Sequence, residues 1–600
     1  MTSPERYPGE HLDILGHVPP FAGRVLVAGP GATLVGGLLK RRGIPWVGAI
    51  VPPEENLAVA AQLLDAAHTH VPPGELADVI LATNPTFARE AARALASAGM
   101  LLVLLAPDAP EPAFPGLVVR HAWPGAGTPA EEARLMAWVN ADYDGLAHAM
   151  LLARGGQYEP AYWVLENVPT ECITSPEQHL TIHLEKQRIT LALLENGGAR
   201  HPLSCFYHGQ HAFYKVTEKA PQLHEAFLLQ ARAWRAVGNP AMGARLLRTH
   251  AHAFEGTPPP PEAPWTPPSA APHTPSWQPV PDQPAPRVLY LVNPRMHYGA
   301  DVLFDGLVRV LGVENAVDFP PKPSLHGQAE PRFAHYPCVL DWPGPPTPPT
   351  WESITRELQD GAFNAILLAD CECTLPQQSL RALMAARRDT PVYIVDAVDE
   401  PYDLRETVCA YAGIDALAGY FKREMLTCWD YGPGVWALPF AYPEGRVEPG
   451  RNTPRTEPLF WAGHRGSGLR NVYLDFIQER FGFRFEANYP QEEYARQLQR
   501  SLMGLNGFGY GYDTVRYWEL PAHGCMLLSE RMPIHIPHNF IDGESAVFFD
   551  DLPELEAKLA HCLEHPEEAA QIAAAGHDHW LKHHTSTQRA KQLLGVVFGA

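Results

Sequence analysis

Long apolar runs are missing from this sequence, and that absence is the first constraint. Nowhere do about 18 apolar residues follow one another, the length a helix needs to cross a bilayer, and the opening MTSPERYPGEHLDILGH has no basic segment followed by an apolar stretch. The expectation is an unsecreted, cytoplasmic protein with no membrane span. Positive charge is also short: 46 Lys and Arg against 67 Asp and Glu give a formal net charge of -21. No global positive field exists to release counterions from a phosphate backbone, so nucleic acid is not the expected partner. Cysteine is sparse, nine in 600 residues, and none stand in the CxxC spacing of a structural zinc site. Reduced, mostly buried thiols are expected rather than a disulfide framework.

Proline, by contrast, is abundant, and it punctuates the chain. From Gly256 to Pro286 it recurs so often that neither helix nor sheet can run through, and the segment reads as a semi-rigid linker, with a proline-rich peptide ligand as the alternative. The rest, 46% hydrophobic and 10% aromatic, is enough for three or four compact units. Residues 1–150 alternate apolar stretches (RVLVAG, ADVILAT, MLLVLLAP) with amphipathic ones, the rhythm of a Rossmann-like α/β domain. Residues 151–255 lose the strand signal and read as α-helical hairpins. The stretch ARAWRAVGNPAMGARLL resembles one tetratricopeptide repeat, with small Ala233, Gly238, Ala241 and Ala244 where packed helices approach. After the linker (256–286), residues 287–450 and 451–600 form two further α/β domains, opened by RVLYLV and PLFWAG. Ligands of such paired sheets sit at strand C-termini, in the cleft between the domains.

Chemistry concentrates between Gly507 and Glu530, GFGYGYDTVRYWELPAHGCMLLSE. A strand ending near Asn506 runs into a glycine-rich turn, Tyr512 follows, Asp513 is placed to cap a helix, and Arg516 and Glu519, three residues apart, share one face of it. Glycines let backbone approach phosphates, a helix N-terminus favours their charge, and a carboxylate accepts ribose hydroxyls. An ordinary capped helix with a surface Arg/Glu pair is the alternative.

From WELPAHGCMLLSE onward, through IPHNFIDGESAVFFDDLPELEAKL and the HHTSTQRA tail, the sequence resembles the C-terminal domain of the CgeB-like glycosyltransferases, named for a spore-maturation protein, within the wider group-1 transferases. The resemblance spans roughly Leu459 to Leu594 and implies the two-Rossmann-domain GT-B fold. It also implies a nucleotide-sugar donor and no cofactor; the acceptor is expected on a protein or glycan, the helical array favouring a protein, and a fixed guanidinium beside the diphosphate removes the need for a metal. Glu519 takes the place of the glutamate that holds the donor ribose. Relatives with two glutamates eight residues apart would put the first at position 511; here it is Gly511, so their retaining mechanism is not carried over.

A second constellation, WAGHRGSGLRNVYLDFI, is similar to the first loop of the group-1 nucleotide domain. Gly463, His464, Arg465 and Gly466 belong to it, Arg470 follows, and Arg465 is expected beside the diphosphate leaving group, whose growing charge a fixed guanidinium stabilises. A turn at Asp542, Gly543 and Glu544 makes Glu544 a further donor-binding candidate, with an ordinary β-turn as the alternative. On the acceptor side, VDAVDEPYDLRE brings Asp396, Asp399 and Glu400 to a strand end, and GYFKREM adds Lys422, Arg423 and Glu424. Asp399 is the candidate catalytic base, and His297, in NPRMHYGADVLFDGL, is its alternative.

Two metal readings are set aside: Asp370 and Glu372 in ADCEC, and the histidines 577, 579, 583 and 584, taken as part of a packing helix. In the N-terminal domain, Gly29, Gly31 and Gly36 have the layout of a nucleotide or S-adenosylmethionine turn and resemble a methyltransferase-like fold. No acid closes the second strand, which ends at Ile50 and Val51 with Glu54 beyond two prolines, so the domain reads as degenerate. The alternatives to a transferase are a scaffold with an inactive transferase half and a bifunctional S-adenosylmethionine-binding enzyme.

Overall fold

The computed structural model describes residues 18, 22–41, 44–53, 55–71, 76–83, 85–105, 109–124, 134–140, 145–166, 175–199, 201–260, 266, 274–278, 284–293, 295, 297–328, 338–345, 347–447, 454–466, 468–485 and 489–599. Glu54 and much of the proline-rich stretch lie outside the described residues. The chain divides into two compact units, Met1–Arg200 with Pro376–Gln378, and His201–Leu375 with Ser379–Ala600. Among the described residues no helix is long and apolar enough to cross a membrane.

The first unit runs β1 (Arg24–Ala28), α1 (Ala32–Arg41), β2 (Trp46–Ile50), α2 (Leu57–Leu63), β3 (Ala66–His68), β4 (Ala77–Ala82), α3 (Pro85–Ala91), β5 (Leu95–Leu105), β6 (Leu117–Pro124) and β7 (Arg134–Asn140). Its sheet has the order β3-β2-β1-β4-β5-β7-β6. The strands from β1 to β5 pair in parallel, and β7 is antiparallel to both its neighbours. RVLVA and ADVILA are almost wholly buried because helices cover parallel strands on both faces. At the turn from β1 to α1, Gly29 and Gly31 have φ of 108° and 80°, a region glycine enters freely. Helices α4 (Gly145–Arg154), α5 (Tyr158–Glu166) and α6 (Pro176–Glu195) complete the unit; α6 opens on a capping box of Ser175 and Gln178. The segment read from sequence as one helical domain is therefore shared between the units.

The second unit begins with α7 (Pro202–Lys219), α8 (His224–Ala236) and α9 (Pro240–His250), the last continuing into a π-helical turn, Ala251–Glu255. Small residues matter here: a Cβ on Gly243 would stand 2.6 Å from the Ala231 carbonyl oxygen, so α8 and α9 meet almost backbone to backbone.

Next come β8 (Val288–Val292), α10 (Tyr298–Leu311), β9 (Ala316–Phe319), α11 (Trp351–Gln359), β10 (Ala365–Ala369), α12 (Gln377–Ala386), β11 (Val392–Asp396), α13 (Arg405–Ala412), β12 (Gly419–Lys422) and β13 (Val435–Ala437). They form a parallel sheet ordered β13-β12-β11-β10-β8-β9. A second parallel sheet, β14-β15-β16-β17, is built from β14 (Glu457–Phe460), α14 (Arg470–Phe481), α15 (Gln491–Arg500), β15 (Ser501–Asn506), α16 (Val515–Ala522), β16 (Met526–Glu530) and β17 (Val547–Phe549). The chain ends in α17 (Leu552–Glu564), α18 (Pro566–His583) and α19 (Ser586–Phe598).

Two contacts make one body of these parts. Helix α19 returns to the first sheet and packs on α10 at Gly306, where an added Cβ would meet the Ser586 carbonyl oxygen at 2.0 Å. Buried Arg589 donates to the Phe440 carbonyl at 2.8 Å and lies over the Trp518 ring at 5.2 Å. The helical layer in turn docks on the second sheet's side, through Arg245–Asp550 at 2.7 Å and Arg248–Asp551 at 2.5 Å, and through Leu552 N donating to Thr249 Oγ1 at 3.2 Å. Among the described residues eight cysteines are free thiols, five of them buried.

Candidate active site

The glycine-rich turn lies between the two parallel sheets of the second unit. Strand β15 ends at Asn506, whose side chain is fixed on both sides: its amide donates to Ser529 Oγ at 3.0 Å, and its carbonyl accepts from Thr514 Oγ1 at 2.6 Å. The helix that follows, α16, starts after Thr514, which makes no side-chain cap. Asp513 is not the cap either. Its carboxylate turns inward, accepting Phe440 N at 2.6 Å and Trp518 Nε1 at 2.7 Å, and burial raises its pKa to about 6.

The backbone just before the helix is held instead by a residue from the other sheet. Glu424, fully buried just past β12, accepts Tyr512 N at 3.0 Å and Asp513 N at 3.1 Å. Burial is the main cause that lifts its carboxyl to about 8. Arg423 lies 2.8 Å from Glu424 and also pairs with Asp399. Burial opposes the Arg423 charge, but Asp399, Glu424 and Asp513 outweigh it and hold the guanidinium above its ordinary value. Asp399 sits half-exposed at the rim; against the effect of burial, Arg423 holds it below the usual carboxylate range. Gly511 closes the cluster. A Cβ there would lie 2.5 Å from Glu424 Oε1, 2.8 Å from an Arg423 nitrogen and 2.9 Å from Asp399 Oδ1, so glycine is the residue this packing admits.

His297, one residue before α10, feels both Arg423 and Asp399. Burial and the Arg423 charge push it down to about 4, so it is neutral at pH 7. Among the described residues its Nδ1 is buried without a hydrogen-bond partner, as are Arg423 Nε and Arg516 Nε. Of these, Arg423 borders Gly511, Arg516 borders Gly463, and His297 feels the Arg423 and Asp399 charges.

The loop after β14 meets a second pair of cations, from α14 and α16. Arg516 donates to the Ala462 carbonyl and stacks over Trp461 at 5.3 Å, and a Cβ on Gly463 would lie 2.8 Å from its guanidinium. Arg470 reaches the Gly507 and His464 carbonyls at 3.3 and 3.2 Å; burial, reinforced by Arg516, lowers it to about 9. Arg465 and His464 are exposed, and Arg465 pairs with Asp475 on α14. The guanidinia that flank the glycine turn are thus Arg470 and Arg516, and Arg465 faces away. Gly466 is nearest to Glu218 of the helical layer.

Glu519 is buried and accepts the Tyr494 hydroxyl at 2.7 Å; burial raises its pKa, opposed by Tyr494, Arg516 and Tyr442. Tyr512 is directed into the helical layer, its hydroxyl donating to Gln210 at 2.7 Å, which leaves it a packing residue. Glu544 lies in an exposed turn beside a cavity of about 390 Å³ lined by Asp542, Gly543, Lys558 and His561, and the structure brings no cation of the glycine-rich turn to it. Asp370 is an ordinary loop anchor, held by Thr374 and Leu375. His577, His579 and His584 spend ring nitrogens on the carbonyls of Pro521 and His538, as a packing helix requires.

Sequence reasoning named Glu424 only as a charge on the acceptor side and gave it no partner in the glycine-rich turn. The one available signal was KRE, three charges in a row inside the apolar GYFKREML, where a buried charge has to be paired.

Two parallel α/β sheets thus enclose a glycine-rich turn with Arg470 reaching the Gly507 carbonyl and Arg516 beside Gly463. Residues 463–595 match the model of a family described as glycosyl transferase-like. No curated protein matches the chain. Solved structures similar to it include HepE of Anabaena in complex with UDP-glucose, at 9% identity over 52% of this chain and 100% of that one, with a TM-score of 0.32. Others are a sucrose-phosphate synthase of Thermosynechococcus elongatus (12%, 52% and 98%, TM-score 0.33) and a glycosyltransferase of Rickettsia africae (8%, 52% and 98%, TM-score 0.36). At such scores these likenesses carry no weight for fold or activity.

Proposed function

We propose that the two-sheet part of the second unit is a GT-B glycosyltransferase that moves a sugar from a nucleoside diphosphate donor to an acceptor hydroxyl. The observation that carries this reading is that a glycosyl transferase-like region holds two glycine turns bordered by arginines, Arg423 at Gly511 and Arg516 at Gly463, whose Nε atoms, like His297 Nδ1, are buried without a partner among the described residues. In this reading Arg470 and Arg516 meet the diphosphate, so that departure of the nucleotide needs no metal charge. Glu519 already accepts a tyrosine hydroxyl, and the donor ribose would replace that of Tyr494. Neutral His297, with a free ring nitrogen, and ionised Asp399 are the two groups able to take the acceptor proton. The acceptor is proposed to be a protein or a glycan.

One observation favours a second reading, a non-catalytic scaffold. Glu424 occupies the Tyr512 and Asp513 N–H groups that would otherwise face a donor anion. For the first unit we propose a degenerate cofactor domain. Glu55 accepts the N–H of Gly31 and, at 2.9 Å, the hydroxyl of Thr33, filling with a carboxylate the turn where a cofactor's anion would sit.

Calorimetric titration with UDP, GDP, TDP and CMP sugars separates the readings. The transferase reading expects saturable binding of at least one donor, weakened about 10- to 150-fold in Arg516→Ala, the loss of charge-assisted hydrogen bonds worth roughly 1.5–3 kcal/mol. Absence of binding across the panel by folded protein favours the scaffold.

A further inference from the structure

We infer that His224, His250 and Glu255, at the end of the helical layer, bind a divalent transition-metal ion of the zinc class. The first residue of α8, the last of α9 and the last of the π-helical turn bring three donor atoms to one point. His224 Nδ1 and His250 Nδ1 are 3.2 Å apart, and Glu255 Oε1 lies 3.2 Å from the first and 3.3 Å from the second. Nitrogen and oxygen ligands about 2.0–2.1 Å from a tetrahedral Zn²⁺ lie roughly 3.3–3.4 Å from one another, so the triangle already has close to the edge lengths of one face of a zinc tetrahedron.

The surroundings of His250 match a ligand's. Its other ring nitrogen, Nε2, is 3.0 Å from the Gln222 carbonyl, the outer contact that fixes a metal-binding imidazole with its Nδ1 lone pair toward the ion. The rings of Phe227 and Phe254 stand 4.7 and 5.2 Å from the His250 ring and hold its plane, while the residue itself is 2% exposed. Glu255 reaches the site because the last turn of the helix widens to π geometry, a feature that recurs at functional positions.

Hydrogen bonds alone leave the triangle unfinished. With the His250 Nε2 proton given to Gln222, the ring presents a lone pair at Nδ1, and one Nδ1 proton on His224 can serve only one of its two neighbours. Whichever it serves, the His250–Glu255 edge sets two acceptors against each other. A cation at the centre resolves all three edges; an extra proton on His250 is the competing resolution. His224 and Glu255 are about half exposed (48% and 49%), so a water molecule has access to the fourth coordination position. Among the described residues the histidines of α18 form no such set, and His577 and His579 each turn one ring nitrogen to a backbone carbonyl. The ion ties the start of α8 to the end of α9 and is independent of any donor bound at the glycine-rich turn.

The test is titration of tag-free, full-length protein with Co²⁺ and Zn²⁺, followed by the visible d–d bands of tetrahedral Co²⁺ and by calorimetry. One ion per chain with tetrahedral bands is expected. His224→Ala and Glu255→Gln, both at exposed positions, are expected to keep the helical circular dichroism and to lower affinity at least tenfold, since even outer partners of a ligand are worth about 10–100-fold. His579→Ala is expected to bind as wild type. Absence of tetrahedral bands in wild type, or a loss smaller than tenfold in either ligand variant, overturns the site and leaves the protonated imidazole as the explanation.

Discussion

Replacing Gly511 by alanine tests whether the two sheets are locked together where the structure places the lock. The backbone at 511 is ordinary, so the consequence is steric. The new methyl carbon would lie 2.5 Å from Glu424 Oε1, 2.8 Å from Arg423 and 2.9 Å from Asp399, and none of these buried or paired groups can withdraw freely. Overpacking of this kind costs about 1–3 kcal/mol. If Glu424 is driven off the Tyr512 and Asp513 N–H groups, about 1–3 kcal/mol more is lost for each group left buried and unpaired. In the Glu424→Ala background the nearest obstacle is absent while the other two remain, so Gly511→Ala should cost less there by about 1–2 kcal/mol. Scanning calorimetry of wild type, both single variants and the double variant measures this in the transition that belongs to the second unit. Costs that add to within about 0.5 kcal/mol would refute the contact between Glu424 and position 511.

The remaining predictions concern pH, packing and the two arginine sets. Glu424 and Glu530 are raised, chiefly by burial, to about 8 and about 7, whereas unfolded glutamates ionise near 4.3. From pH 6.5 to 8 the unfolded chain therefore binds fewer protons than the folded one, and stability should fall by about 1–2 kcal/mol, a loss that Glu424→Gln reduces. Between about 4.5 and 6.5 the lowered His297 and His523, both near 4, act in the opposite sense, because the unfolded imidazoles take up protons that the folded ones refuse. The stability profile measured by denaturant unfolding should be flatter there; a steady rise of stability from pH 6.5 to 8 would contradict the assignment. Gly306→Ala, which sets a methyl against the Ser586 carbonyl, should loosen α19 and lower the unfolding temperature by several degrees, while Gly361→Ala, where nothing lies within 4 Å, should cost only the strain of its positive φ. Arg465→Ala should leave donor affinity within about twofold of wild type, because its partner is the surface Asp475; a loss as large as that of Arg516→Ala would return Arg465 to the phosphate site.

Periodicity made the strands legible. VLYLV, AILLA and VYIVD are continuous apolar runs because parallel strands are covered on both faces, and each is fully buried. The glycine-rich turn at 507–513 and the helix after it were legible from glycine spacing and from the Arg516/Glu519 pair. What the sequence could not show was which distant residue completes each local pattern. Asp513 has the composition of a cap, yet its carboxylate serves Phe440 and Trp518, and its own N–H is held by Glu424, 89 positions earlier. Arg465, Arg470 and Arg516 are equivalent as letters. Their separation into one surface ion pair and two cations beside the turn depends on where α14 and α16 point. The helical segment had a clear 3.6-residue rhythm, but its division between two units follows from contacts such as Arg248–Asp551, made across 303 residues.

Nucleotide release tests the central claim most directly. Purified full-length protein is incubated with each nucleotide sugar, without added divalent cation and then with Mg²⁺ or Mn²⁺, and the free nucleotide, a diphosphate from UDP, GDP and TDP sugars and CMP from CMP sugars, is quantified against Arg516→Ala and Glu519→Gln. The account predicts release from at least one donor without added metal, reduced at least tenfold in Arg516→Ala. It also predicts a KM raised more than kcat is lowered in Glu519→Gln, as expected of a ribose ligand. Equal release by wild type and both variants, or none from any donor by protein that remains folded, would contradict it.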